Sequence, residues 1–243
     1  MSTKFIADLH LRPEQPDMVA LFVKFLHEQS LDPELQALYI LGDLFEAWIG
    51  DDFVPPGMDA AVNAISQLTN SGIDTYFMHG NRDFLIGDAF AAQTGCQLLP
   101  EYHVMNLYGT PTLLMHGDLL CTDDTDYLKF RKMVRNPLWQ QDFLAKPVSE
   151  RITIAQAARQ ESQQKTQQLA SDIMDVNQDT VNHTMRKWQV PQLIHGHTHR
   201  PAIHELTING TPAKRIVLGD WYEQGSVLVC NQQGCEIKTL HSK

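Results

Sequence analysis

Short apolar runs alternate with amphipathic stretches along the first half of the chain. Five apolar runs predict buried strands, at Lys4–Ala7, Ala37–Leu41, Thr75–Met78, His103–Leu107 and Thr112–Met115. Helical periodicity separates the first three runs, at about Glu14–Gln29 and Met58–Thr69. This order is typical of βαβ units that build a parallel sheet.

The middle of the chain has a different pattern. Strand signals are weak between about Asp124 and Trp188, where Pro137 and Pro147 interrupt the sequence. The stretch that begins at Ser149 predicts a long polar helix. We therefore expect a helical insertion between about residues 120 and 190.

Strand signals return after the insertion. Five late runs predict strands that look antiparallel, at Gln192–Ile194, Ile203–Thr207, Arg215–Leu218, Val227–Cys230 and Glu236–Leu240. Asn209-Gly210 and Gln233-Gly234 are typical hairpin turns. The whole pattern predicts one α/β domain over residues 1–243, with a core of two sheets.

Composition and charge restrict the function. Hydrophobic residues make up 43% of the chain and charged residues 20%, which indicates a folded protein. The net charge of −10 disfavours general nucleic-acid binding. Residues 128–165 nevertheless carry a net +5, which leaves −15 elsewhere. That segment is either a solvated helical surface or a patch that faces an anionic substrate or membrane.

The sequence also predicts a location. The apolar stretch before Asp8 is too short for a signal peptide, and no run of about 18 apolar residues would span a membrane. No pair of cysteines has the Cys-x-x-Cys spacing. We therefore expect a cytosolic protein with four reduced thiols, at Cys96, Cys121, Cys230 and Cys235.

Most of these strands end in polar residues that can bind metals. The clusters are Asp8-Leu9-His10, Gly42-Asp43, Gly80-Asn81-Arg82-Asp83, His116-Gly117-Asp118 and His195-Gly196-His197-Thr198-His199. Ligands gather outside the carboxyl ends of strands in open α/β sheets, so the five clusters should converge on one rim. Carboxylates and imidazoles suit Mn²⁺, Fe²⁺, Zn²⁺ or Co²⁺, and the absence of thiolates argues against a structural zinc site.

Spacing within the clusters supports a shared site. Asp8 and His10 are two residues apart and should point the same way in an extended segment, as should His197 and His199. The glycines of the clusters allow tight turns and close backbone approach. Taken singly, Asp43 or Asp118 could be a helix N-cap, and a Gly-Asn pair is usually a turn. Five clusters in this order favour a metal centre.

The set Asp-x-His, Gly-Asp, Gly-Asn, His and Gly-His-x-His resembles the calcineurin-like metallophosphoesterase superfamily. Longer motifs are similar to the UDP-2,3-diacylglucosamine pyrophosphatase family of bacterial lipid A synthesis, at Asp8–Leu11, Gly42–Asp52, His79–Phe84, Met115–Asp118, Ile173–Asn177 and His195–Pro201. The resemblance spans nearly the whole chain. It implies a two-sheet β-sandwich flanked by helices, with the insertion as a lid.

The resemblance also implies two metal ions, usually Mn²⁺. One would be held by Asp8, His10, Asp43 and His199. The other would be held by Asp43, Asn81, His116 and His197. Asp43 would bridge, because a carboxylate has two oxygens and its charge offsets repulsion between the cations. His195 has no metal in this scheme and would orient His197, touch the substrate or be structural.

The implied activity is hydrolysis of UDP-2,3-diacylglucosamine to UMP and 2,3-diacylglucosamine 1-phosphate. Water would attack the nucleotide-side phosphorus, with Asp43, Asn81, Arg82 and His116 as catalytic residues. Many phosphomonoesterases of the superfamily carry histidine where this chain has Arg82. Arginine cannot donate a proton but can clamp phosphate, so Arg82 favours a diphosphate substrate with a good leaving group. A surface ion pair with a neighbouring carboxylate, such as Asp83, is the alternative role for Arg82.

The resemblance places the substrate contacts at Asn81, Arg82, Asp124, Ser162 and His197. Asp124 could equally be a helix N-cap. The family pattern expects asparagine and lysine where this chain has Thr166 and Leu169, and Lys165 would stand in for the first of them. The insertion could offer a lipid-facing wall, although most of its apolar residues are expected in the core: Phe130, Met133, Val134, Leu138, Trp139, Phe143 and Leu144.

Two other functions are open. One is a hydrolase for a soluble dinucleotide or cyclic nucleotide, and the other is a protein-binding scaffold. The basic, apolar insertion favours the lipid substrate, and the complete ligand set argues against a scaffold. With no anchor, we expect peripheral, salt-sensitive attachment to the cytoplasmic face of the inner membrane. No nucleic acid and no obligatory protein partner are expected.

Overall fold

The computed structural model describes residues 1–168 and 175–241, and of residues 163 and 165–168 only the backbone. Eleven strands lie in these ranges: β1 Ser2–Ile6, β2 Leu35–Ile40, β3 Asp74–Met78, β4 Gln97–Leu99, β5 His103–Leu107, β6 Thr110–Leu114, β7 Gln192–His195, β8 Ala202–Ile208, β9 Thr211–Val217, β10 Gly225–Asn231 and β11 Gly234–Leu240. The helices there are α1 Pro16–Ser30, α2 Asp59–Asn70, α3 Asp88–Thr94, α4 Thr125–Val134, α5 Pro137–Leu144, α6 Val148–Gln168 and α7 Gln178–Trp188.

The strands form two sheets. The first has the order β11-β10-β1-β2-β3-β4, in which β1 to β4 are parallel and β10 and β11 are antiparallel. The second has the order β5-β6-β7-β9-β8, with a parallel centre and an antiparallel strand at each edge. Parallel neighbours bring their carboxyl ends to one edge, as the polar clusters require.

The sheets pack face to face. A buried cluster joins side chains of both sheets, including Phe5 and Tyr39 of the first and Leu114 and Ile194 of the second. Helices α1 to α3 cover the other face of the first sheet. Helix α7 covers the other face of the second sheet through Val181 and its neighbours. The predicted two-sheet core flanked by helices is confirmed.

Several local predictions were incomplete. Strand β4 and helix α3 were missed, because both are short and carry little periodic signal. Strand β7 is parallel to both neighbours, although the late strands looked antiparallel. The hairpins were correct: β8 pairs with β9 and β10 with β11. Asn209 and Gly210 have positive φ values of 52° and 77°, as the tight turn between β8 and β9 requires.

The cysteine prediction was wrong for two residues. Cys230 and Cys235 lie opposite each other in the β10–β11 pair, with Cα atoms 4.1 Å apart, and are joined by a disulfide. Cys96 and Cys121 are free and buried, as expected. The register of β10 and β11 places the two cysteines opposite each other. A separation of five residues in the sequence did not by itself indicate this pairing.

Helices α4, α5, α6 and α7 lie between β6 and β7 in the described part of the chain. Four of the seven apolar side chains expected mostly in the core are exposed: Phe130, Met133, Leu138 and Leu144. Val134 and Phe143 are buried. Among the described residues, no helix combines the length and apolarity needed to cross a bilayer.

Candidate metal centre

Loops from both sheets meet at one rim, as predicted. The backbone N–H of Asp8 donates to Gly42 O over 3.1 Å, and that of Gly196 donates to His116 O over 2.8 Å. The two sheets are tied together where the N–H of His197 donates to Asp8 Oδ2 over 2.8 Å. The clusters that follow β1, β2, β3, β6 and β7 therefore form one site.

The backbone of this site is unusual. Eight non-glycine residues of the described chain have positive φ, and five are candidate ligands: Asp8, His10, Asp43, His197 and His199. The prediction of extended segments at Asp8–His10 and His197–His199 is therefore wrong. Each turns sharply beyond its strand, which aims both side chains inward. Such conformations cost roughly 1–3 kcal/mol each and cluster at functional sites.

Glycines allow the loops to approach this closely. A Cβ at Gly80 would lie 2.1 Å from Asp43 Oδ1, and a Cβ at Gly196 would lie 2.4 Å from Asp8 Oδ2. No side chain fits at either position. The prediction of close backbone approach is therefore correct at both.

Asp8, His10 and His199 form the first half of the site. His10 Nε2 lies 3.2 Å from His199 Nε2, and His199 Nε2 lies 3.6 Å from Asp8 Oδ1. Asp8 Oδ1 is buried without a hydrogen-bond partner. Lone pairs of imidazole and carboxylate thus converge here, and a divalent cation would satisfy them.

Asn81, His116 and His197 form the second half. Asn81 Oδ1 lies 3.0 Å from His116 Nε2 and 2.9 Å from His197 Nδ1. Turning the amide over would let its NH₂ donate to both rings and to Asp43 Oδ2. The orientation with Oδ1 inward instead presents three lone pairs to one point, which suits a cation.

Asp43 lies between the halves. Its Oδ2 is 3.7 Å from both His10 Nε2 and His116 Nε2. Two groups of potential ligands share Asp8. One is Asp8 with His10 and His199, and the other is Asp8 with Asp43 and His116. Within each group the ligand atoms lie within 4.8 Å of one another. The donor set therefore fits metal binding.

Electrostatics favour the ligating forms of two members of the donor set, Asp8 and His197. Burial alone would raise the pKa of Asp8, but the close approach of His199 at 3.6 Å and the charges of the neighbouring histidines hold it below its usual value. Burial and the charge of His116 lower the pKa of His197 to about 4. Asp8 is thus a carboxylate and His197 a neutral imidazole at pH 7, the forms that bind metals.

Residues outside the predicted ligand set orient it. Glu46 Oε2 lies 3.2 Å from His10 Nδ1, and Glu46 Oε1 lies 2.5 Å from Arg159 Nη2. The ring of Tyr222 stacks on His10 at 5.7 Å, and Asp220 Oδ2 lies 3.7 Å from His199 Nδ1. We had given none of these residues a role. Gly219-Asp220 follows β9 as Gly42-Asp43 follows β2, so the same signal could have identified Asp220.

Arg82 borders the second half of the site. Its backbone N–H donates to Asp43 Oδ1 over 2.8 Å. The carboxylate of Asp83 is fully buried and accepts backbone N–H groups, and within the described residues it forms no ion pair with Arg82. Asp83 is therefore not an ion-pair partner of Arg82, and the wider alternative, an ion pair with another neighbouring carboxylate, stays a prediction.

The remaining predicted residues lie around the centre. His195 is fully buried and contacts Gly196 O and Arg215 Nη1, which agrees with a structural role, and its other two roles stay predictions. Asp118 accepts from Tyr127 Oη at 2.6 Å and from Arg131 Nε at 2.5 Å, which fastens α4 to this rim. Asp124 caps α4, because its Oδ1 accepts from Tyr127 N at 2.9 Å.

Ser162 lies on α6 one turn beyond Arg159, which contacts Glu46. Leu169 and the side chains of Lys165 and Thr166 lie outside the described part of the chain. The prediction that they replace family contacts therefore stays a prediction.

The basic residues of the insertion are largely paired. Five of the eight form ion pairs within the described residues: Lys129, Arg131, Lys146, Arg151 and Arg159. Arg151 is buried and binds Asp52 over 2.8 Å, which anchors α6 to the loop after β2. The net +5 of this segment is therefore not a free positive patch.

A model of the calcineurin-like phosphoesterase family matches residues 1–201. The fold and the convergent histidines and carboxylates agree with that match, and the chain belongs to this family of phosphoesterases. A solved archaeal phosphodiesterase shares the fold, with 10% sequence identity and a TM-score of 0.50 over 99% of this chain and 100% of that one.

Sequence relatives define the group more narrowly. UDP-2,3-diacylglucosamine hydrolase of Stenotrophomonas maltophilia (strain R551-3) is 49% identical over 247 residues, which cover 99% of both chains. The protein of the same name from Photobacterium profundum is 47% identical over 98% of this chain and 97% of that one. Within the phosphoesterases, the chain belongs to the UDP-2,3-diacylglucosamine hydrolase family, as its motifs predicted.

Proposed function

We propose that this protein hydrolyses UDP-2,3-diacylglucosamine to UMP and 2,3-diacylglucosamine 1-phosphate, a step of lipid A synthesis. The observation that carries the proposal is the convergence of seven candidate ligands at one rim, in a chain similar throughout its length to hydrolases named for this substrate. The ligands are Asp8, His10, Asp43, Asn81, His116, His197 and His199.

The donor set fits two divalent cations, and we propose Mn²⁺ for both. Asp8, His10, Asp43 and His199 would hold one cation. Asp43, Asn81, His116 and His197 would hold the other. When bound, the cations activate water for attack and neutralise charge on the phosphoryl oxygens.

The chain's own residues position the substrate. We propose that Arg82 clamps the diphosphate and that Asn81 and His197 also contact it, with Asp43, Asn81, Arg82 and His116 as the catalytic residues. Arg82 keeps its charge at working pH, so it stabilises the departing phosphate electrostatically without supplying a proton. The leaving group is a sugar phosphate, which departs as an anion.

The insertion would act as the lid over this site. Helices α4 and α6 reach the rim through Asp118 and Glu46, respectively. Phe130, Met133 and Leu138 are 40%, 49% and 70% exposed, which provides apolar surface for acyl chains or for a bilayer. Asp124 and Ser162 would contact the head group.

We further propose peripheral attachment to the cytoplasmic face of the inner membrane. Because five basic side chains of the insertion are already paired, the exposed apolar side chains would supply most of the binding. Cosedimentation with anionic vesicles tests this. Binding should fall in a Phe130→Ser, Met133→Ser double variant, and unchanged binding would reject the apolar contribution.

Product analysis in ¹⁸O-water tests the reaction. The protein is incubated with Mn²⁺ and UDP-2,3-diacylglucosamine, and the masses of the products are measured by mass spectrometry. Asp43→Ala removes the bridging carboxylate, whereas Asp59→Ala removes an exposed carboxylate on α2. UMP should carry the label with the native protein and with Asp59→Ala, and Asp43→Ala should form none.

Three outcomes would change the conclusion. Label in the lipid phosphate instead of UMP would move the attack to the other phosphorus. No turnover by metal-loaded protein would reject this substrate and favour a soluble dinucleotide or cyclic nucleotide. Failure to bind Mn²⁺ by calorimetry would favour a scaffold role.

A further inference from the structure

A separate cavity lies behind the loop that carries His197 and His199. Its volume is about 240 Å³. A single water molecule needs roughly 10–15 Å³ on the same measure, so the cavity is large enough for a small ligand. The lining combines basic, polar and small residues: Asp175, Thr198, Arg200, Ala202, His204 and Arg215. The proposed reaction uses none of them.

Arg215 is the central feature of this cavity. It lies on β9, and its side chain is only 6% exposed. Its Nη1 donates to His195 Nε2 over 3.2 Å, and its buried Nε has no hydrogen-bond partner. Within the described residues no carboxylate forms an ion pair with Arg215, and Asp175 of the same cavity acts on its charge only from a greater distance.

His195 cannot supply the missing negative charge. An imidazole is neutral or positively charged in the physiological range, so its contact with Arg215 adds no anion. Its Nε2 accepts from Arg215, and its Nδ1 donates to Gly196 O over 2.8 Å. Arg215 therefore also holds this histidine in one tautomer.

The other lining groups leave the cavity positive. Asp175 is engaged by Arg200 Nη1 at 2.5 Å and by the backbone N–H of Val176 at 2.7 Å. Burial lowers the pKa of His204, which makes it neutral at pH 7. Two guanidinium groups thus face one carboxylate. Thr198 Oγ1 is buried here without a partner and can donate a further hydrogen bond.

A buried guanidinium without a paired carboxylate and a buried hydroxyl without a hydrogen bond are both costly, and an oxyanion would satisfy both. We propose that this cavity binds the phosphate group of a small phosphate-bearing molecule, with Arg215 and Thr198 as its donors. Phosphate suits the site because it offers several acceptor oxygens to a guanidinium and a hydroxyl at once. The volume leaves room for more than the phosphate itself. None of the residues that line it takes part in the proposed hydrolysis.

A ligand at this position would act on the metal loop. Thr198 stands between the two candidate ligands His197 and His199, so a phosphate held by its hydroxyl restrains that loop. Binding of phosphate and retention of metal should then strengthen each other, because coupling between two sites is reciprocal.

Calorimetry with inorganic phosphate, uridine 5′-monophosphate and uridine tests the site. The titrations use the Mn²⁺-loaded native protein, Arg215→Met, and Asp43→Ala with chelator to remove binding at the metals. Phosphate should still bind to Asp43→Ala with chelator, and Arg215→Met introduced into that variant should weaken this binding about tenfold or more. Tighter binding of the nucleotide than of inorganic phosphate, with none of uridine, identifies a nucleotide site; equal affinities identify a free-phosphate site.

A second variant guards against misfolding of Arg215→Met. Ala202→Leu narrows the cavity and leaves Arg215 and His195 in place. It should weaken phosphate binding while the thermal unfolding midpoint stays near that of the native protein. The proposal is overturned if phosphate binding disappears in Asp43→Ala, or if it is unchanged in both Arg215→Met and Ala202→Leu. Both results are independent of turnover.

Discussion

The buried carboxylate of Asp83 holds the backbone of Asp43, whose N–H donates to Asp83 Oδ1 over 3.3 Å. Asp83 Oδ1 also accepts from Gly80 N at 2.9 Å, and Oδ2 accepts from Leu44 N at 2.7 Å. One side chain thereby joins the loops after β2 and β3. Burial and the charge of Asp43 raise the pKa of Asp83 to about 6, yet the N–H groups need it as an acceptor.

Replacement of Asp83 should therefore destabilise the fold. Asp83→Ala leaves buried N–H groups without acceptors and should lower the free energy of unfolding by about 3 kcal/mol. Asp83→Asn keeps one oxygen acceptor and should lower the free energy of unfolding by a smaller amount. Urea denaturation measures both, with Asp88→Ala at an exposed position of α3 as the control. Native stability of Asp83→Ala would contradict the role.

Glu46 should control metal affinity through His10. Its Oε2 lies 3.2 Å from His10 Nδ1, a contact that favours the tautomer with the proton on Nδ1 and with Nε2 free for a metal. Glu46→Gln should weaken Mn²⁺ binding by about 10–100-fold. Calorimetric titration with Mn²⁺ measures the change, and Glu28→Gln on the exposed side of α1 is the matched control. Equal affinity of Glu46→Gln and the native protein would mean that Glu46 only anchors Arg159.

Arg82 should determine which leaving groups the enzyme accepts. Arg82→His exchanges a phosphate clamp for a potential proton donor, so diphosphate hydrolysis should fall. The rate on an alkyl phosphomonoester, relative to the diphosphate, should rise by about tenfold or more. Arg82→Lys separates charge from acidity, because lysine keeps the charge and is a poor acid at neutral pH. The same rate ratio in both variants would contradict this explanation.

The ion pair between Lys4 and Asp32 should appear in the pH dependence of stability. A hydrogen bond from Lys4 at 2.8 Å lowers the pKa of Asp32 below 3.8 in the folded protein. Stabilisation by a lowered carboxyl pKa is present above the unfolded value and is lost as pH falls through the folded value. Asp32→Asn should thus lower the free energy of unfolding by less than about 1 kcal/mol at pH 6. It should leave the free energy of unfolding unchanged once the pH has fallen well below the folded pKa of Asp32. A cost that persists in that acid range would exclude this ion pair as its source.

Much of the fold was evident from local pattern. The predicted strands at Lys4–Ala7 and Ala37–Leu41 differ from β1 and β2 by one or two residues at each end. The polar clusters could be placed at one rim because side-chain type and strand direction are local properties. The seven candidate ligands came from this rule and from the resemblance that their motifs carry.

Other features depended on contacts between distant segments. Asp83 accepts from residues about 40 positions away, Glu46 meets Arg159 across the insertion, and Cys230 meets Cys235 only through β-strand register. The exposed apolar side chains of α4 and α5 also differed from expectation, because helical periodicity does not specify which face meets a neighbour.

The sequence by itself determined the element order, the residue types of the site and the family, because these depend on neighbouring residues and on motifs. The tertiary structure decided the left-handed turns at Asp8 and His10, the buried network around Asp43, and the positive cavity at Arg215. Each of these is a balance of burial, charge and hydrogen bonding between segments far apart in the chain. That balance exists only once the two sheets have packed together.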